Sequence, residues 1–521
     1  MNSRGRIGTV PSGAAPIGRE DELGRLEAQQ GGWRAIVLGV LATLIVGSWI
    51  LLAIVRIDDR FALNHVAGAR MALAQDVNHG TLYRPLYDGR NYGGTRFMPV
   101  PIVLHAAIAR VTHEYIESGK VLSYASIALL LGLTLLVLRR LGSPLPVALA
   151  LTSSIVATEP GLLAATGISG DALPVALQLG AIALVADSFR TRRLVAAAGL
   201  CALAIFVKFS AVWAPLAIGT WLLMKARRQL VPFAASFLAF FAGTLGLFLW
   251  ISGGRLWSNV ASLSVSGVSG LGALSRPATL PALLVQRMNA LFILIVVAVV
   301  AWFAAWVGNR LTIYEVSLAW AVAVLLVVLT DIGAEYNHLI DLIVLAVVVV
   351  GRFWRVMARL RFGLVRSALP LVLAASLAAS YAVTLAGPVR DAVASALGHP
   401  RGDRFAAHPL SGYLRSDDVI LSEDPSVPVE MNLRPLVLDP FMVRQFDRIH
   451  PSWVDDLIER INRGEFDKVV LLKELDAASE YWYATWHFGP RVFQALEANY
   501  RLAIRTHGYF LYVPRVAPLP S

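Results

Sequence analysis

Residues 33–59 read WRAIVLGVLATLIVGSWILLAIVRIDD, an apolar run that stops on two adjacent carboxylates, Asp58 and Asp59. A spanning helix needs about 20 mostly apolar residues, and this run supplies them. Working outward, similar runs recur at 121–138, 144–158, 172–189, 194–207, 210–224, 231–251, 289–307, 312–330, 337–351 and 367–387. With the first, that makes about eleven spans, of which 194–224 can also be read as one long broken element. The whole chain of 521 residues is 56% hydrophobic and 16% charged, where a soluble domain averages roughly 25% charged. The expected fold class is an all-α polytopic membrane protein.

Charge orients the spans. The net charge of +11 would suggest nucleic acid in a soluble protein, but here the basic residues sit in short loops between apolar runs, so no nucleic-acid partner is expected. With the N-terminus in the cytoplasm, alternate loops collect fourteen of them, including Arg139, Arg140, Arg190, Arg192, Arg193, Lys225, Arg227 and Arg228. The opposite side holds Glu159, Asp171, Asp331 and Glu335, as the positive-inside rule requires. An odd number of crossings then places the C-terminus outside, provided that 99–116 lies along the interface as a helix of the first external loop, 56–120. Residues 1–32 lack an apolar stretch and read as a disordered cytoplasmic tail. The single Cys201 excludes an intrachain disulfide framework.

Residues 388–521 return to soluble composition. Short β-rich runs at Val419–Ser422, Pro435–Asp439, Val469–Leu472 and Tyr509–Val513 alternate with helical patterns at 451–465 and 490–503, which predicts a small extracytoplasmic α/β domain after the membrane domain of 33–387. The chain reads as a multi-pass protein of a bacterial cytoplasmic membrane.

Ionisable residues gather on one face of this arrangement. Asp58 and Asp59 follow the first span, Asp171 opens the fourth, Lys208 lies where the fifth and sixth meet, and Asp331, Glu335, Tyr336, Asn337 and His338 precede the tenth. A carboxylate at the membrane edge is half-desolvated, a setting that tunes an acid toward general-base work. A sugar carried on a long isoprenoid phosphate presents its anomeric carbon at this interface. An inverting displacement there needs one carboxylate to take the acceptor proton and a cation to stabilise the departing phosphate. Asp58 and Lys208 fit those roles, with Arg255, Arg276 and Arg287 of the acid-free loop 252–288 as further phosphate candidates.

The pair Asp58-Asp59, the amphipathic run Phe61–Gln75, then Tyr83, Tyr87, Tyr92 and Met98-Pro99-Val100-Pro101 resemble the first external loop of polytopic glycosyltransferases of the GT-C fold. The likeness is greatest to the protein mannosyltransferase and aminoarabinose transferase branch, glycosyltransferase family 39. It implies a polyprenyl-phosphate sugar donor and a glycan, lipid or protein acceptor. By the same resemblance Asp58 is the catalytic carboxylate, Asp59 the second acid, usually Glu, and Asp171 the acid of the second external loop. Lys208 is the basic residue beside the donor phosphate, and Tyr336-Asn337 is the aromatic–polar pair before a late span, with His338 next to it. The chain departs in Asp for Glu at 59 and in Pro-Val-Pro for Pro-Pro-Leu. No cofactor is called for, although a divalent ion between Asp58 and Asp171 is compatible with oligosaccharyltransferase-like relatives.

Each residue also has a plainer reading. Asp58-Asp59 can simply mark a loop, Lys208 can snorkel to lipid headgroups, and Asp171 can cap a helix. His65, His79, His105 and His113 lack ligand spacing and read as loop histidines. Trp482, Tyr483 and Trp486 suit sugar stacking, with core packing as the simpler explanation. Two other function classes stay open, a transporter and a non-catalytic envelope assembly or flippase partner.

Overall fold

The computed structural model describes residues 18–60, 65–263, 272–331, 333–334, 336–357, 363–398, 410, 412–506 and 508–515. Glu335, most of the Gly/Ser-rich segment 262–275 and the first half of the N-terminal tail lie outside them. A helix occupies every one of the eleven predicted spans. The first, α1 (Gly18–Val55), begins well before the apolar run, so 18–32 is helical rather than disordered. Two helices of the first loop follow, α2 (His65–Asn78) and α3 (Pro99–Thr112), then α4 (Tyr115–Arg140). The third expected span is a short α5 (Leu145–Ser154) bent by 80° into α6 (Glu159–Thr166). Gly161 permits the bend, since a Cβ there would stand 1.8 Å from the Ile155 carbonyl oxygen.

The run 194–224 is two helices, α8 (Thr191–Val207) and α9 (Trp213–Lys225), after α7 (Ala172–Ala186). The bundle continues with α10 (Leu230–Ile251), α11 (Arg255–Leu263), α12 (Gly272–Ser275), α13 (Leu280–Met288), α14 (Phe292–Val307), α15 (Ile313–Val328) and α16 (Leu339–Met357). It closes with α17 (Gly363–Ser380), a π-helical turn over Tyr381–Leu385, and α18 (Ala386–Gly398). Among the described residues, six helices are long and apolar enough to cross a membrane, or seven if the bent pair counts as one span; the rest are shorter. Short helices survive at such depth because neighbours pack around them, as the fully buried Val175, Leu179, Ala198 and Cys201 of α7 and α8 show. Conversely, α10 turns Val231, Leu238 and Trp250 outward, which is what a lipid-facing helix requires.

The C-terminal unit carries a four-stranded sheet of order β1-β2-β4-β3, with β1 (Ile420–Ser422) parallel to β2 (Lys468–Leu471) and the other pairs antiparallel. Helices Pro440–Ile449 and Pro451–Asn462 make the crossover between the parallel strands. Two expectations need correction here. The helix predicted over 490–503 stops at Asn499, and β3 (Tyr500–Thr506) follows it into a hairpin with β4 (Tyr509–Pro514), turned at Gly508 with φ +84°. The strand expected at Pro435–Asp439 does not join the sheet. Its backbone pairs instead with Tyr92 of the first loop, whose N–H donates to the Leu436 carbonyl at 2.8 Å and whose carbonyl accepts from Leu438 N–H at 2.9 Å.

That pairing is one of several seams between loop and C-terminal unit. Gly68 of α2 approaches so closely that a Cβ would lie 2.4 Å from Asp424 Oδ1. The Arg84 guanidinium donates to both oxygens of Asp76 at 2.5 and 3.0 Å and to the Pro435 carbonyl, while Arg434 reaches Asp76 at 3.1 Å. Arg84 and Asp76 are both almost wholly buried. Removing Arg84 leaves the buried Asp76 with Arg434 as its one remaining cation, a loss toward the lower end of about 3–5 kcal/mol. Arg84→Met is therefore expected to lower the melting temperature of the purified protein clearly, whereas removal of the exposed Arg390–Asp391 pair is expected to change it little.

Candidate active site

Three breaks between helices meet at one point. Asp171 stands at the N-cap of α7, reached through Gly170 at φ +65°, but its side chain makes no capping bond. Its Oδ1 instead accepts from Lys208 Nζ at 2.8 Å and from Asn337 Nδ2 at 3.2 Å. Lys208 adopts an extended backbone as α8 ends, which aims its side chain inward. Asn337 belongs to the 3-10 turn Tyr336–His338 that opens α16, and His338 Nδ1 lies 3.5 Å from Ser210 Oγ in the α8–α9 connection. Burial pushes the Asp171 carboxyl up, yet Lys208 and Arg70 beside it hold it well below the usual carboxylate range. Neither the helix cap nor a headgroup anchor describes this pair.

These groups line a cavity of about 660 Å³. The first loop supplies Pro101 and Ile102 of α3, and the bundle supplies Gly119 and Leu122 of α4, Phe209, and Val327 and Val328 at the end of α15. Two further cations reach it. Arg70 of α2 donates to the Ile168 carbonyl at 2.9 Å and lies 5.1 Å from the Phe97 ring. Arg96 lies 4.8 Å from the Phe441 ring, donates to the Gly333 carbonyl at 3.1 Å and stands 3.9 Å from Asp331. Neither arginine was singled out in the sequence, although Arg70 lies within the amphipathic run quoted above.

The C-terminal unit contributes Asp439, Phe441, Trp482, Trp486 and His487 to the same cavity. Behind them the fully buried Glu423 accepts from Trp482 Nε1 at 2.8 Å, Tyr483 OH at 3.0 Å, Leu472 N–H at 2.7 Å and the His487 ring at Nδ1. Burial would raise this carboxyl, but His487 and the surrounding donors keep it below its ordinary value. His65 of α2 meets the His487 ring edge-on at 4.2 Å. Burial, with His487 and Arg96 nearby, drives the His65 imidazole well below its ordinary pKa, so it is neutral at pH 7.

The other predicted residues fall outside the cavity lining. Asp58 and Asp59 occupy the turn after α1, where Lys120, between Gly119 and Leu122 of α4, binds the Arg56 and Asp59 carbonyls. The Asp58 Oδ1 is buried without a hydrogen-bond partner among the described residues. Arg287 pairs with Glu159 at 2.6 Å and lies 4.4 Å from the Tyr336 ring. Arg276 donates to the Asp331 carbonyl and Arg255 to the Ser252 carbonyl, so Arg287 and Arg276 tie the loop to α6 and to the segment before α16, while Arg255 bonds within the loop. Among the described residues no three of His, Cys, Asp and Glu come together as a metal site.

No family model matches the sequence, and no curated protein does. Solved structures do. ArnT from Cupriavidus metallidurans bound to undecaprenyl phosphate superposes with a TM-score of 0.59 at 12% identity, over 90% of this chain and 97% of that one. The same protein in its apo state gives 0.57 at 14% identity over the same shares of both chains. The oligosaccharyltransferase of Archaeoglobus fulgidus in the apo form gives 0.52 at 12% identity, over 87% of this chain and 72% of that one. Both proteins are GT-C fold glycosyltransferases. The chain is a polytopic membrane protein with the GT-C fold.

Proposed function

We propose that the protein transfers a sugar from a polyprenyl-phosphate carrier to an acceptor hydroxyl on the extracytoplasmic face of the cytoplasmic membrane. The observation that carries this reading is a single cavity with two chemistries. Lys208, Arg70 and Arg96 offer cations for a phosphate, while Val327 and Phe209, 70% and 57% exposed on the apolar bundle surface, also line it. A lipid phosphate needs both at once. The ArnT structure that shares this fold holds undecaprenyl phosphate.

In the transfer, the acceptor oxygen attacks the anomeric carbon as the bond from that carbon to the phosphate oxygen breaks. The acceptor proton passes to a carboxylate and the new negative charge rests on the phosphate. Lys208 stabilises that charge, with Asn337 and Asp171 fixing its position and Arg70 and Arg96 adding to the field. Asp58 takes the proton. The resemblance supports this role; Asp58 itself stands in the turn after α1, outside the cavity lining, and its Oδ1 has no hydrogen-bond partner among the described residues.

Assay of the purified full chain with a panel of polyprenyl-phosphate sugars tests the reading through release of the polyprenyl phosphate. Failure to consume any of them would overturn it. The topology is tested separately. A reporter active only outside the cytoplasm, fused after Ser521, is expected to work, and a cytoplasm-only reporter is expected to stay silent.

A further inference from the structure

The C-terminal unit lines the cavity with a pattern different from that of the bundle. Trp482 and Trp486 are one helical turn apart, so they share a face, and both line the cavity while only partly buried. Trp482 and His487 are locked from behind by one buried carboxylate, Glu423. That acid costs desolvation and takes no part in the transfer chemistry. What it secures is the orientation of two rings, with Asp439 beside them; Asp439 Oδ1 is occupied by the Phe441 N–H at 3.1 Å.

Flat apolar faces edged by fixed hydrogen-bonding groups suit a pyranose or furanose ring, which has C–H faces and a rim of hydroxyls. Large rigid aromatics supply contact area at small entropic cost. An acyl chain would need aliphatic surface, and the aliphatic lining, such as Val327, Val328 and Ile102, comes from the bundle and the first loop and not from this unit. One recurring way for a peptide to dock is along an open strand edge, and no residue of β1–β4 lines the cavity. The volume of about 660 Å³ lies in the middle of the range of roughly 300–1,000 Å³ usual for small-molecule sites. We infer that Trp482, Trp486 and His487 form the acceptor subsite, that the acceptor is a saccharide, and that Glu423 is the residue that positions this wall.

The inference rests on the transfer reading above, and the experiment separates the two. The full chain in detergent is given a polyprenyl-phosphate sugar that it consumes, together with tagged di- and trisaccharides, hydroxyl-bearing peptides or lipid acceptors. Transfer to saccharides is expected. Trp486→Ala is expected to raise the saccharide KM about ten-fold or more with donor KM and melting temperature little changed, and Trp486→Phe to recover part of the loss. Saturation-transfer NMR with maltotriose and no donor is expected to show ring contacts in the wild type that weaken in Trp486→Ala. If the wild type consumes no donor, both readings fall. If it transfers sugar but Trp486→Ala leaves the acceptor KM unchanged, or if peptides or lipids are the only acceptors used, the acceptor inference alone is overturned.

Discussion

Lys208→Met is expected to reduce turnover by about 10²–10³, the loss found when one preorganised donor to a developing oxyanion is removed. The leaving phosphate gains charge as the glycosidic bond breaks, and an ammonium in a partly dry site stabilises it more than water does. The ion pair adds a second effect. Asp171, with 5% of its side chain exposed, would lose its 2.8 Å partner, so the single variant should also be less stable, toward the lower end of about 3–5 kcal/mol because Asn337 and Arg70 remain. Combining Lys208→Met with Asp171→Asn should restore melting temperature without restoring turnover. Lys208→Arg should retain part of the activity, its charge being kept in a planar fork that fits the site less well. Lys225, 5.3 Å from the Trp221 ring at the far end of α9, serves as the control. Equal, small effects of Met at both positions on donor release would return Lys208 to a structural role.

Asp58→Asn is expected to lower transfer by about 10²–10⁴, the contribution of a positioned general base. Because no hydrogen bond to Oδ1 is lost, melting temperature and membrane insertion should be unchanged. Measuring turnover of Asp58→Asn, Asp59→Asn and Asp171→Asn side by side locates the proton acceptor. Near-normal turnover in the first with loss in the third would move that role into the cavity. Full activity in all three would defeat the active-site assignment.

The bundle was legible because a bilayer leaves so few choices. Every backbone group must be paired within its segment, so eleven apolar runs became eleven helices. What hydropathy could not convey was length and bending, as in the 80° turn between α5 and α6. In the C-terminal unit the helical pattern of 490–499 ran on into Leu502, and the period-two alternation of Tyr500–Thr506 was absorbed by it. The Asp171, Lys208 and Asn337 cluster was legible because these polar residues all fell at span ends on the one face that the loop arginines leave to acids. Arg70, Arg96 and His487 were not, since arginine abounds in this chain and the partners of each lie far away in sequence. Glu423 was not legible either, because nothing local reveals that Trp482, Tyr483 and His487 fold back onto it.

The seam between the first loop and the C-terminal unit also sets an order of events in synthesis. Asp76 waits for Arg434, 358 residues later, and Arg84 for the Pro435 carbonyl, 351 residues later. Contacts of such long range form late, after the intervening chain has been made and placed. Until then Tyr92 has no strand to pair with and α2 no surface against Gly68, so the loop is born incomplete. The cavity between loop, bundle and C-terminal unit is consequently among the last parts of the molecule to be completed. A chain that stops short of the final hundred residues lacks the wall that Asp439, Phe441, Trp482, Trp486 and His487 give the cavity.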